Sequence, residues 1–133
     1  MTLPPTDTVQ VIDSAVNHKL LSLIKGRGSA SVVLWPGNGS RFRTVQVLDM
    51  AADDTTVDLS HAHDCVYYVS NGSGRISDLT VGSAQELIEG SIVHIDGGDR
   101  YRLEAGSDGM RVVGGPVPAD PALYEEFAVK VAE

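Results

Sequence analysis

The chain has 133 residues and a mass of 14.1 kDa, the size of one compact domain, and 42% hydrophobic content is enough for a single core. Eighteen acidic against ten basic residues give a net charge of −8 and a pI near 4.8, a balance that repels phosphate backbones and anionic lipid and argues against nucleic-acid and membrane partners. The single cysteine, Cys65, has no partner for an internal disulfide. The opening MTLPPTD lacks the basic and apolar regions of a signal peptide, and no apolar run reaches the roughly 20 residues that span a bilayer. The expectation is a cytoplasmic protein.

Residues 1–10, with Pro4 and Pro5, are expected to form a loose or edge-pairing arm, followed by one domain over 11–133. From Val11 to Lys25 the residues Ile12, Val16, Leu20, Leu23 and Ile24 recur at spacings of three and four and predict an amphipathic helix stopped by Gly26 and Gly28. Short Val- and Ile-rich runs follow at Ser29–Trp35, Arg43–Met50, Val66–Ser70, Gly74–Val81, Glu86–Ile88, Ile92–Ile95, Tyr101–Glu104 and Met110–Val113. Pro36-Gly37, Asn71-Gly72, Glu89-Gly90, Gly97-Gly98 and Gly114-Gly115 punctuate them as turns. Strands at near-regular spacing without intervening helices predict an all-β sandwich or barrel with its core over about residues 29–115. Asp120 with Pro121 is a helix-start signature, and Leu123, Phe127 and Val131 extend it into a second helix over about 121–131. The Gly114–Asp120 connector reads either as a lid over one barrel mouth or, the favoured reading, as a plain turn between the last strand and that helix.

The chemistry concentrates around His61 and His63. If Asp58 to Val69 is extended, a period of two places His61, His63, Cys65 and Tyr67 on one face. Two imidazoles so spaced can grip one divalent ion, and neutral imidazole suits Fe, Ni, Cu and Zn; the same pair also reads as a polar strand face at a barrel rim. Cys65 is either a thiolate ligand or a small buried hydrophobe. Tyr101 is either a proton donor or ligand, or a packing residue with its hydroxyl tied to a neighbour. His94, between apolar neighbours in IVHID, faces out, and His18 is read as solvated. Arg100 and Arg102 project away from Tyr101 and pair with Asp99 or Glu104.

The segments HAHDCVYYVSNGSG and EGSIVHIDGGDRYRLEAG resemble the two motifs of the cupin superfamily, small barrels of double-stranded β-helix (jelly-roll) form. The resemblance covers roughly Arg43 to Val113. Gly90 and Gly98 fall in place for the second motif, but Tyr101 stands where the family has histidine, Asp96 where it has proline and Ala105 where it has asparagine. In the first motif, counting back from Gly72 puts Cys65 at the family's glutamate position, two residues too close to His63; an ungapped count instead matches His61 to the second histidine and leaves Leu59 at the first.

The resemblance implies a cupin-type barrel flanked by an N-terminal and a C-terminal helix, a homodimer, and a small-molecule site inside the barrel. It also implies a divalent metal (Fe, Ni or Zn) on His61, His63 and Cys65, with Tyr101, Tyr67 and His63 as catalytic groups. The leading expectation is a metal-assisted dioxygenase, lyase or isomerase/cyclase acting on a carbonyl- or hydroxyl-bearing substrate. A metal-free isomerase, epimerase or cyclase using His and Tyr as acid and base, and a non-catalytic small-ligand binder, are the two alternatives.

Overall fold

The computed structural model describes residues 9–40 and 42–124. Ten strands form one curled sheet: β1 (Lys19–Leu21), β2 (Ile24–Lys25), β3 (Ser29–Leu34), β4 (Val45–Met50), β5 (Thr55–Thr56), β6 (Leu59–Ser60), β7 (Cys65–Asp78), β8 (Ser83–Leu87), β9 (Ile92–Ile95) and β10 (Arg100–Pro116). The long β10 is the axis of the fold. Its full length runs antiparallel to β7, while on its other edge the first half meets β5 and β6 and the second half meets β4. Beyond β4 the sheet continues through β3 to β1; β8 and β9 pair with successive parts of β7. Among the described residues no helix is long and apolar enough to cross a membrane.

Alternation along each strand decides what faces inward. Gln46, Leu48 and Met50 of β4, Cys65, Tyr67 and Val69 of β7, and Tyr101, Leu103 and Ala105 of β10 all point into the barrel, with Leu48, Val69, Leu103 and Val112 sealed from solvent. That single apolar interior is what holds the curled sheet together.

The helix expected over Val11–Lys25 does not form. A single turn at Asp13–Asn17, closed by Asn17 N–H donating to the Asp13 carbonyl at 2.8 Å, is followed directly by β1 and β2. The reason is tertiary pairing: β1 zips onto β3 and buries Leu21, whereas the supposed helical stripe is broken, Val16 and Leu20 remaining 74% and 62% exposed. At the other end Pro121–Tyr124 makes one turn of 3-10 helix, and the rest of the helix expected to 131 lies outside the described residues, as do residues 1–8 of the arm. Asp120 does cap that turn, its Oδ1 accepting from Ala122 N–H at 3.0 Å.

Three of the five expected turns, at Pro36-Gly37, Glu89-Gly90 and Gly97-Gly98, connect elements. Asn71-Gly72 and Gly114-Gly115 instead lie within β7 and β10. Gly72 (φ +75°) sits where the β7–β10 register shifts, and a Cβ there would lie 2.2 Å from the Gly109 carbonyl oxygen. The glycine serves a bulge between long strands rather than a hairpin.

Asp54 ties the early chain to the sheet. Its buried carboxylate accepts from the backbone N–H groups of Arg27 (3.1 Å), Gly28 (2.7 Å) and Ala51 (2.9 Å), while its carbonyl accepts from Ala105 N–H. Gly26, at φ +141°, leaves the room this requires, since a Cβ would collide with the carboxylate. Burial alone raises the Asp54 pKa, but the three N–H groups and Arg27 outweigh it and hold the carboxyl below its ordinary value of 3.8. A folded-state pKa depressed in this way adds stability above the unfolded value, and that stability is lost as pH falls through the folded one. Asp54→Asn is expected to lower Tm by several degrees at neutral pH, with the gap to wild type closing as pH drops below about 3.8. Thermal denaturation as a function of pH checks both parts.

Candidate functional site

The extended run expected from Asp58 to Val69 is interrupted: β6 ends at Ser60, and residues 61–64 bend before β7 starts at Cys65. The bend is fixed from the facing turn, where Gly98 N–H donates to the His61 carbonyl (2.7 Å) and Gly97 N–H to Asp64 Oδ1 (3.0 Å). A Cβ on Gly97 would meet the Ala62 carbonyl oxygen at 2.6 Å, so this approach requires glycine. The consequence for the histidines is separation: His61 is turned into the barrel at 5% exposure, and His63 is exposed to solvent.

Inside, three side chains expected at the site converge on one atom of a fourth. Tyr101 Oη lies 2.7 Å from His61 Nε2, 2.7 Å from Tyr67 Oη and 3.7 Å from Cys65 Sγ. Tyr101 pairs with Leu59 of β6 and Asp78 of β7, far along β7 from Tyr67, so the two phenols meet across the interior rather than as strand neighbours. Their rings are tilted at 59° with centroids 6.0 Å apart, and His61 and Tyr101 stand similarly at 5.6 Å.

The other face of His61 is held by a residue that sequence reasoning placed only as a helix cap. Asp120 Oδ2 lies 2.7 Å from His61 Nδ1, and both groups are nearly shut off from water. A carboxylate can only accept, so the hydrogen belongs on Nδ1. In the neutral ring Nε2 is then an acceptor and takes the Tyr101 O–H, leaving the Tyr101 oxygen to accept from Tyr67. The row reads Tyr67 to Tyr101 to His61 to Asp120, donors toward acceptors throughout. No sequence motif links Asp120 to His61; the signal is the return of the Gly114–Asp120 connector over the barrel end, so that segment covers the interior instead of only turning the chain.

Burial, and after it the neighbouring phenol and thiol, pushes the Tyr101 phenol far up; Tyr67 is raised for the same leading reason. Burial likewise lifts the Cys65 thiol to about 11 despite its hydrogen-bonding contacts with the two tyrosines. All three are therefore neutral near pH 7.

A cavity of about 250 Å³ opens beside this row, between β7, β8 and β9, and Tyr101 forms part of its wall together with Ile76, Leu87, Ile95, His94 and Asp99. Tyr101 joins cavity and buried row.

No family profile matches the sequence, and no curated protein matches it. Among solved structures, a cupin-like protein from Thermotoga maritima is 18% identical at a TM-score of 0.66, with 73% of each chain covered. KdgF from Halomonas sp. is 13% identical at 0.69 over 86% of this chain and 98% of its own. The polyketide cyclase RemF from Streptomyces resistomycificus is 14% identical at 0.62, over 91% of this chain and 82% of its own.

The chain has the cupin fold. The divalent metal that the cupin resemblance implied is not matched by the arrangement of His61, His63 and Cys65. Both ring nitrogens of His61 are engaged, His63 points away into solvent, and the Cys65 thiol holds its proton. Among the described residues, the side chains whose donor atoms do converge are Asp64, His94 and Asp96, all exposed, with those atoms within 4.8 Å of one another. His94 lies 3.5 Å from Asp64 and 3.6 Å from Asp96, at the cavity's edge. Arg102 projects away from the interior, as expected, and meets Asp58 and Glu104.

Proposed function

We propose that this cupin barrel is a metal-independent acid–base enzyme, an isomerase, epimerase or cyclase of a small carbonyl- or hydroxyl-bearing molecule. The observation that carries the reading is the 2.7 Å contact between Oη of Tyr101, a residue of the cavity wall, and His61 Nε2, backed by Asp120 on Nδ1. A cavity of about 250 Å³ suits a substrate smaller than a typical drug-sized ligand.

The proton balance explains why a phenol with so high a pKa is useful. Tyr101 does not have to exist as a free phenolate. As a substrate proton moves to the Tyr101 oxygen, the proton already there moves to His61 Nε2, and the imidazolium forms beside the Asp120 carboxylate. Returning the pair of transfers at a different substrate atom completes an isomerisation with no net change in protons. Tyr67 donates to the Tyr101 oxygen and steadies charge building there. His63, outside the row, has no part in these transfers.

Enzyme-dependent deuterium incorporation next to the carbonyl of hydroxyacetone, dihydroxyacetone, glyceraldehyde or a small aldose in D₂O tests this by proton NMR. Exchange is expected for at least one compound, unaffected by EDTA and reduced about 10²- to 10⁴-fold in Tyr101→Phe. Exchange absent across the panel, or abolished by chelation and restored by metal, contradicts the reading.

We further propose that two copies pair through the outer face of the sheet. Ile92, Tyr68, Val113 and Val47 lie on that face in one register-aligned row across β9, β7, β10 and β4, which Ser31 of β3 interrupts before Leu20 of β1; Ile92, Leu20 and Tyr68 are 71%, 62% and 47% exposed. Exposed apolar side chains grouped on one sheet face support an interaction surface. Analytical ultracentrifugation is expected to give a dimer mass that reverts to monomer in Tyr68→Lys; a wild-type monomer at micromolar concentration refutes the pairing.

A further inference from the structure

The cavity beside Tyr101 has a charge pattern that the acid–base row does not account for. Asp78, Glu86 and Asp99 stand in its wall, and among the described residues no lysine or arginine does. Strand register places Asp78. It follows Ile76 by two residues on β7, and it is the direct partner of Tyr101 on β10 and of Ser83 on β8. Side chains paired in this way on one face lie within reach of a single small molecule. Ile76, Leu87 and Ile95 give the same cavity an apolar part.

The protein itself does not neutralise these carboxylates. Asp78 Oδ1 accepts from the backbone N–H groups of Thr80 (3.0 Å) and Val81 (3.3 Å), which hold the side chain at the strand end, while Oδ2 has no partner among the described residues. The Asp99 carboxylate, half-buried like that of Asp78, has none either. The nearby cations are committed or turned away. Arg75 is paired with Glu104, Arg102 with Asp58 and Glu104, and Arg100 alternates with the inward Tyr101. His94, although at the cavity's edge, alternates with Val93 and Ile95 and lies against Asp64 and Asp96.

Carboxylates on an open surface would be ordinary solvated charges. Here they border a cavity of about 250 Å³ that shares a wall with Tyr101, so whatever fills it must answer their charge. An anion would meet like charge, and a neutral ligand would strip water from Asp78 Oδ2 and Asp99 with weaker compensation than a cation gives. We propose that the cavity takes a small molecule carrying a protonated amine, its ammonium held by Asp78 and Asp99 and its carbon skeleton lying against Ile76 and Ile95. The N–H groups of an ammonium can only donate, which suits a pair of carboxylates that can only accept. The net charge of −8 draws the same cation from solution. This assignment rests on the acid–base reading of Tyr101 and adds the charge of the substrate: an ammonium withdraws electrons from a neighbouring C–H bond and eases loss of its proton.

Three sugars of similar size and different charge serve as probes: glucosamine, protonated at mildly acidic pH, neutral glucose and anionic glucuronate. Binding to the full ¹⁵N-labelled chain is followed on the backbone amides of Leu87 and Ile95. Glucosamine is expected to bind about tenfold or more tightly than glucose, with glucuronate weakest and the preference shrinking in high salt. In a chain carrying Asp78→Asn and Asp99→Asn, glucosamine should fall to the affinity of glucose; asparagine at 78 still offers Oδ1 to Thr80 and Val81. Asp99→Asn alone serves if the double variant fails to fold, and the wild-type charge series decides the matter if neither folds. Glucose or glucuronate binding as tightly as glucosamine, glucosamine producing no saturable shift, or a preference that survives in the variant overturns the proposal. Deuterium exchange on the neutral carbonyl panel alongside any of those results keeps the acid–base reading and removes the amine. Glucosamine bound as expected, with exchange on neither it nor the panel, supports the amine and removes the acid–base reading.

Discussion

A phenol hydroxyl buried in a barrel core must be hydrogen-bonded, and at Tyr101 that requirement organises the interior. Left unpaired, such a group costs on the order of 1–3 kcal/mol, and its partners would be orphaned in turn. The chain meets the requirement by bringing groups from β6, β7 and the segment after β10 to one point: His61, Tyr67 and, behind His61, Asp120. The bend at residues 61–64, the glycines facing it and the return of the Gly114–Asp120 connector are consequences of closing that row.

The same arrangement reconciles a high phenol pKa with proton transfer. A tyrosine that ionised freely in so dry a site would pay the full desolvation of its phenolate. In the proposed reaction, coupling to an imidazole whose other nitrogen is held by a carboxylate lets it pass protons without accumulating charge on oxygen. The scaffold supplies rigidity where this matters. Tyr101 is at the start of the strand that spans the whole sheet, and Asp54 pins the adjoining part of that strand through Ala105.

Much of the fold was legible in the sequence because it depends on short-range patterns: alternation in β4, β7 and β10, and the turn dipeptides Glu89-Gly90 and Gly97-Gly98. What failed did so for longer-range reasons. Val11–Lys25 carries a helical spacing, but strand pairing with β3 offers Leu21 a better burial than an isolated amphipathic helix could. Asn71-Gly72 has turn chemistry, yet in a barrel the same residues serve a bulge in a long strand. At the site, Cys65 and Tyr67 follow from periodicity and Tyr101 from its place in the second cupin-like motif, whereas the pairing of His61 with His63 assumed a straight strand. Asp120 carries no local signal, since its partner His61 lies 59 positions away.

The central claim is the direction of the hydrogen bonds through His61. Long-range ¹H–¹⁵N NMR of its ring reads this directly. The account predicts a protonated Nδ1 and an unprotonated Nε2, with Nε2 losing its acceptor shift in Tyr101→Phe. A ring protonated on Nε2, or one whose nitrogens do not respond to Tyr101→Phe, would contradict it.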